Sequence, residues 1–431
     1  MPAVNSPSLA WLDRRWFFPA LWLLQLAPLF YNSAPQAPDF ARLGLPFVTS
    51  GDEPHYLLAL HSLLDDGDFD LRNNYDAVNS GGLQAGRRSP GRALDRHIGY
   101  YAGDTFVRGS RAADAPQYST HPPGLPLLLA ATLWPWHDSP RLEAYTLIVT
   151  ALVTCAGAWF FRGLLEHLGA ARGRANAVTA LLYLATPAWH YGRTLFCEPY
   201  LLAAVTTGYC AVLTARPTDR GRMLAGGTVL AIGLLMKPPF VLLALPLGLL
   251  LLGQRRIVQT ALFAAPLVAA TAATLLYHHR YFGSVWHSPQ PWSSGNFWIG
   301  LRGLFFDGSR GLLIVAPAAL LPLLAWPRFA RTGGPPALAV LGGGLAYLLL
   351  MALWREWHGG FCYGPRLIVP LLPLLFLSLV ANPLPDGSVA GRRWLGWALT
   401  GLVSVSFLIN LGSVVFYRMY GKGVPWERLF N

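Results

Sequence analysis

Gly51-Asp52-Glu53-Pro54-His55-Tyr56 sets two adjacent carboxylates about twenty residues past an apolar stretch, Trp16 to Tyr31, in a chain that otherwise avoids charge. Proline suits the first turn of a helix, where its missing N–H has no partner to lose, and Leu57, Leu60 and Leu64 then recur on one face. A helix starting at Pro54 follows, with Asp52 and Glu53 at its N-terminus. The unpaired N–H groups and the helix dipole there favour ionised carboxylates. On this placement Asp52 and Glu53 are the leading catalytic candidates.

Outward from that motif the chain is apolar. Of its 431 residues 53% are hydrophobic and 13% charged, and the mean hydropathy of +0.38 is too high for an ordinary soluble domain. The expected fold class is all-α, a polytopic helical membrane protein with about eleven transmembrane helices and a long helical first extracytoplasmic loop. Apolar spans lie near 16–31, 141–165, 176–192, 199–215, 222–236, 238–253, 257–277, 312–327, 336–354, 366–380 and 394–416. Several fall short of the ~20 residues a helix needs to cross the hydrocarbon core. Arg14-Arg15, Arg172 with Arg174, Arg216 with Arg220 and Arg222, Arg255-Arg256, Arg328 with Arg331, and Arg392-Arg393 all fall on one side of these spans. The positive-inside rule makes that side the cytoplasm, with the N-terminus inside and Tyr417 to Asn431 outside. Residues 1–416 are then one membrane domain that includes a first outer loop at 32–122, and 417–431 form a short outer tail with no soluble C-terminal domain. The protein is expected in the plasma (inner) membrane, with its active site extracytoplasmic. The net charge of +12 does not indicate nucleic acid, because the basic residues are short clusters between apolar spans. Asp13-Arg14-Arg15 before the first span also imitates a cleaved or twin-arginine signal, and the acidic pair lies outside under either reading.

Polar groups inside the apolar sequence collect on the outer side, and ionisable groups at membrane depth tend to face a cavity and mark a substrate path. His121 closes the first loop in Ser119-Thr120-His121-Pro122-Pro123-Gly124, ahead of an apolar Leu127 to Trp136 too short to cross comfortably. Glu198, in Cys197-Glu198-Pro199, repeats the acid-proline logic of Glu53-Pro54 and either caps its helix or joins the cavity. Lys237, between two spans, is either a snorkelling interfacial lysine or a phosphate contact. Trp354-Arg355-Glu356-Trp357-His358-Gly359-Gly360-Phe361-Cys362-Tyr363-Gly364-Pro365-Arg366 is the most specific run, either a ligand site or an interfacial aromatic belt with an arginine paired to Glu356. Its glycines permit close backbone approach, its aromatics pack on sugar or lipid, and Arg366 is planar and permanently charged, suited to a lipid phosphate. Asp66-Gly67-Asp68-Phe69-Asp70 reads as a solvated turn, since the remaining ligands of a calcium loop do not follow. Cys197 and Cys362 both fall at the outer face, and their spacing leaves open whether they pair.

Gly51 to Tyr56, His121-Pro122-Pro123-Gly124, Glu198-Pro199, His358-Gly359-Gly360 and Tyr363-Gly364-Pro365-Arg366 together resemble the polytopic GT-C glycosyltransferases. The chain is particularly similar to bacterial protein mannosyltransferases and lipid A aminoarabinose transferases, over roughly three hundred residues and in family order. The resemblance implies inverting transfer of a hexosyl or pentosyl group from a polyprenyl-phosphate donor to a lipid, glycan or protein acceptor at the outer face. Asp52 would be the base, Glu53 its neighbour, and Arg366 the phosphate contact. His55, His121, Glu198, Lys237, His358 and Tyr363 would bind donor or substrate. No obligatory cofactor is expected, no tight metal-ligand set stands out, and a divalent metal stays open. The competing class is a flippase or transporter for lipid-linked sugars, whose charges should lie near mid-bilayer and in symmetric halves.

Overall fold

The computed structural model describes residues 16–31, 51–81, 93–360, 362–381 and 393–416. Arg14-Arg15, Arg87, Arg88, Arg92, Arg392 and the tail Tyr417 to Asn431 lie outside the described residues. In chain order the helices are α1 (Phe17–Tyr31), α2 (Glu53–His61), α3 (Arg72–Ser80), α4 (Gly124–Leu133), α5 (Leu142–His167), α6 (Arg172–Leu184), α7 (Pro187–Tyr191) and α8 (Glu198–Leu213). There follow α9 (Arg220–Met236), α10 (Val241–Gly253), α11 (Ile257–Phe282), α12 (Phe297–Phe306), α13 (Leu312–Val315), α14 (Leu320–Thr332), α15 (Gly334–Leu353), α16 (Leu372–Leu377) and α17 (Arg393–Phe416).

Each expected apolar segment carries helix. Among the described residues, the helices long and apolar enough to cross a membrane are α5, α11, α15 and the Gly396–Val415 part of α17. Proline lies inside α10 at Pro246 and inside α14 at Pro327, and the tenth segment opens as a 3-10 helix, Arg366–Leu371, that follows Pro365 and contains Pro370. The protein is a polytopic helical membrane protein, built as a bundle in which α5 packs on α8, α8 on α9, α9 on α11, and α10 on α15.

Small residues set the closest approaches. A Cβ at Gly124 would overlap the backbone of Leu235 and Met236, so the start of α4 presses directly on the end of α9. That contact places the His121 segment beside Lys237, which follows α9 immediately.

The first loop differs from expectation in one respect. Besides α2, α3 and a π-helical turn at Ser62–Asp66, it holds a three-stranded antiparallel sheet: β1 (Ile98–Ala102), β2 (Thr105–Arg108) and β3 (Tyr118–Ser119), in the order β2-β1-β3. Ala102 pairs with Thr105 across a two-residue turn whose Gly103 has φ +61°, a backbone that glycine adopts without steric cost. Aromatic and β-branched residues at Tyr100, Tyr101, Phe106 and Val107 favour the strands. The Asp66 to Asp70 turn is held by its own carboxylates: Asp66 accepts from Asn73 and Asn74, Asp68 from Ser62, and Asp70 from Gln117.

Candidate active site

The helix at the opening motif begins at Glu53, with Asp52 as its N-cap and Pro54 in its first turn. The Asp52 carboxylate makes no capping bond. It turns outward, and its Oδ2 meets Arg366 Nη1 at 2.6 Å. Arg366 Nε donates to Glu198 Oε1 at 2.9 Å, and Lys237 Nζ donates to the same oxygen at 3.3 Å. The result is a chain of alternating charge, Asp52, Arg366, Glu198 and Lys237, drawn from four segments. Glu198 is wholly buried, and the Arg366 guanidinium lies 4.6 Å from the centre of the Phe196 ring. Arg366 Nη1 also approaches Gly359 O at 3.4 Å, and no hydrogen bond at Nη2 occurs among the described residues.

The logic of both acid-proline motifs is now visible. Glu53 and Glu198 are each the first residue of a helix with proline next, so the starts of α2 and α8 face Arg366 from two directions. Glu53 does not share the Asp52 environment. It is 1% exposed, and its Oε1 accepts from the Leu195 N–H at 2.8 Å, which ties the start of α2 to the turn before α8.

A group of histidines lines the other side of Asp52. Ile98 pairs with Ser119 across β1 and β3, and the same pairing continues where the Thr120 N–H donates to His97 O at 2.9 Å. His97 and His121 are thereby brought side by side, with His97 Nδ1 and His121 Nε2 3.0 Å apart. Asp52 Oδ1 is 3.8 Å from the first of these nitrogens and 3.7 Å from the second. His55 stacks on His97 with ring centres 3.6 Å apart, and its Nδ1 is 2.8 Å from the Tyr75 hydroxyl, which accepts from the His97 N–H. His97 Nε2 faces Asp95 Oδ2 at 3.2 Å.

Burial alone would raise the Asp52 carboxyl, but Arg366, then His121 and His97, outweigh it and hold it well below the usual carboxylate range. Burial pushes His121 down to about 4 despite the opposing Asp52 charge. Burial also takes His55 well below its ordinary value, with His97 and His121 acting in the same direction. At neutral pH, then, Asp52 is a carboxylate held by a guanidinium, with His121 and His55 neutral.

His121 also walls a narrow cleft of about 10 Å³, together with Tyr56, Phe69, Pro122, Pro123, Pro126 and Tyr277.

The fold thus brings Asp52, Glu198, Lys237 and Arg366 into contact and sets His121 and His55 around them. Besides Glu53, two expected site residues lie elsewhere. His358 sits on an exposed turn with its Nε2 3.1 Å from Glu356, while Tyr363 is buried between α7 and α17, its hydroxyl 3.2 Å from Asn410 Oδ1 and its carbonyl accepting from Tyr191. Cys197 and Cys362 are free thiols. His97, Asp95 and Tyr75 were not evident in the sequence; the hairpin signal Ala102-Gly103-Asp104-Thr105 after an alternating strand was the available clue. No tight metal-ligand set stood out either, yet ligand atoms of Asp52, His97 and His121 lie within 4.8 Å of one another, as do those of His55, Asp95 and His97.

This architecture is the GT-C fold of polytopic glycosyltransferases. ArnT from Cupriavidus metallidurans, solved bound to undecaprenyl phosphate, superposes with a TM-score of 0.52 at 15% identity, over 89% of this chain and 62% of that one. The archaeal oligosaccharyltransferase AglB from Archaeoglobus fulgidus, solved with an inhibitory peptide and a dolichol-phosphate, gives 0.54 at 9% identity, over 96% and 57%. The chain therefore spans less than two thirds of the length of either. No protein-family model matches it, and no curated protein matches it in sequence.

Proposed function

We propose that this protein is an inverting glycosyltransferase that moves a sugar from a polyprenyl-phosphate donor to an acceptor hydroxyl at the outer face of the plasma membrane. The observation that carries the reading is the Asp52–Arg366 pair, 2.6 Å apart and backed by Glu198 and Lys237, in a GT-C fold. Attack on an anomeric carbon needs a group to take the hydroxyl proton, and departure of a lipid phosphate needs cations where its charge develops. The acceptor O–H bond breaks toward Asp52, the new glycosidic bond forms on the face opposite the phosphate, and the old C–O electron pair leaves on the phosphate. Arg366, through its remaining N–H groups, and Lys237 supply the positive field for that leaving group. Asp52 is a weak base, so its contribution rests on position and on late proton transfer. A polyprenyl donor suits a site among membrane helices, because its chain needs a groove open to the bilayer.

Asp52→Asn keeps the shape and removes the base. Transfer should fall by about 10²–10⁴-fold while the protein still inserts and still binds undecaprenyl phosphate. Mass spectra of envelope glycolipids and glycans, with the wild-type and variant proteins expressed in a deletion strain, read the outcome. Unchanged product in the variant removes Asp52 from the mechanism. No new glycosylated product with the wild-type protein removes the transferase reading in favour of a transporter.

A further inference from the structure

Five arginines gather at the end of the bundle opposite the Asp52 array. Helices α8, α9 and α10 run between the two: Glu198 starts α8 and Thr214 caps its end, Arg220 starts α9 and Lys237 follows it, and Gly253 closes α10. Arg216, Arg220 and Arg222 lie at the α8–α9 turn, Arg255 and Arg256 at the α10–α11 turn. The two turns are tied together, with Arg256 Nη2 donating to Arg216 O at 3.0 Å and Gln259 donating to Pro217 O. Arg222 Nη1 donates to Thr214 Oγ1 at 3.1 Å. Two guanidiniums are thus seated on the short segment Thr214 to Arg216, and Arg216, Arg220 and Arg255 are exposed around them.

Among the described residues no carboxylate forms an ion pair with any of the five, and Arg222 and Arg256 reach only neutral oxygens. Asp219 is the one acid in either turn, and its carboxylate accepts from the Arg216 N–H at 3.0 Å. One of the charges also sits on strained backbone. Arg255 has φ +58°, in the left-handed region, where its N–H and that of Arg256 close α10 on Leu252 O and Leu251 O. Glycine adopts that conformation without steric cost, so the turn by itself does not call for arginine. Depth then selects the partner. Leu224, Leu252, Ile257 and Val258 are exposed beside the arginines, so the guanidiniums stand where acyl chains give way to headgroups. A soluble acidic protein or a nucleic acid would leave that apolar rim in water, whereas a phospholipid covers both parts.

We propose that the α8–α9 and α10–α11 turns form a binding site for an anionic phospholipid, with Arg222, Arg255 and Arg256 as its phosphate contacts and Leu252 and Ile257 along its acyl chains. Arg216 and Arg220 add to the positive field that draws the headgroup in. The site lies in the leaflet away from Asp52, so the lipid it takes is a bound partner and not the sugar donor. It stands on this geometry and holds whether or not the chain transfers sugar.

The test uses the purified full chain with Leu249→Cys, an exposed position on α10, labelled with bimane and held in phosphatidylcholine nanodiscs. Brominated phosphatidylglycerol or brominated phosphatidylcholine is included as a small fraction, and quenching of the label reads which lipid gathers there. One arginine beside an anionic lipid gives about a fivefold gain in association, so phosphatidylglycerol should be favoured by at least that factor. Arg255→Gly should cut the preference severalfold at an unchanged or higher melting temperature, because glycine fits the turn. Arg222→Gln combined with Arg256→Gln, which keeps a donor amide at each position, should abolish it. Equal quenching by the two lipids overturns the site, as does a preference unchanged in both variants. Loss of the preference in millimolar inorganic phosphate also overturns it, since the arginines then serve a soluble anion. Arg255→Gly decides the matter if the double variant does not fold. No sugar donor or acceptor is present, so failure here leaves the transfer reading intact, and failure of transfer leaves this one intact.

Discussion

At the scale of single residues, the two acids that adjoin in sequence have separate duties. Asp52 faces Arg366 and the histidines, whereas Glu53 braces the Leu195 N–H. Glu53→Ala should strand that buried donor and cost about 1–3 kcal/mol of stability, read as a lowered melting temperature in detergent. Glu198 holds both Arg366 and Lys237 on one oxygen with no exposure of its own. Removing one member of a buried ion pair leaves an uncompensated charge, so Glu198→Ala should destabilise the protein by roughly 3–5 kcal/mol. Adding Lys237→Met should recover part of that loss in the same melting experiment. His121 gives a pH dependence of definite sign. The unfolded chain protonates this imidazole below its ordinary 6.5, the folded chain only near 4, so stability falls as pH drops through that window and levels off beneath it. The loss attributable to His121 is on the order of 3 kcal/mol, and His121→Gln should flatten that limb of a stability-against-pH curve.

At the scale of elements, the site is positioned by two devices. One is the β1–β3 pairing, which converts a separation of 24 residues between His97 and His121 into a 3.0 Å contact. The other is the close approach of α4 to the end of α9 at Gly124. Gly124→Val must force these backbones apart. It should cost roughly 1–3 kcal/mol by overpacking and shift Lys237 relative to Glu198, measurable as a lower melting temperature. The 3-10 entry at Arg366–Leu371 is a third constraint, since Pro365 and Pro370 leave the chain little freedom to re-aim Arg366.

At the scale of the whole molecule, α8 and α9 carry the charged array at one end and basic residues at the other. Arg220 and Arg222 begin α9 and Lys237 follows it, about 25 Å away along a 17-residue helix. Arg256 reaches the Arg216 carbonyl, so two of the basic clusters also meet in space. In intact cells Asp65→Cys should react with an impermeant maleimide and Thr218→Cys only after permeabilisation; the reverse pattern would invert the topology. The native thiols Cys155, Cys197 and Cys362 are buried and Cys210 is partly so, which keeps the background low. Hydropathy, basic clusters and the two Glu-Pro motifs are local patterns of composition and spacing, so the helical membrane bundle and the candidacy of Asp52, Glu198, Lys237 and Arg366 could be read from the chain alone. His97 could not, because Asp95-Arg96-His97 is an unremarkable polar stretch until strand pairing sets it against His121. Nor could the placement of Glu53, His358 and Tyr363. Adjacency in sequence says where a residue enters the fold, while the direction of its side chain is decided by whichever neighbours the packed helices bring to it.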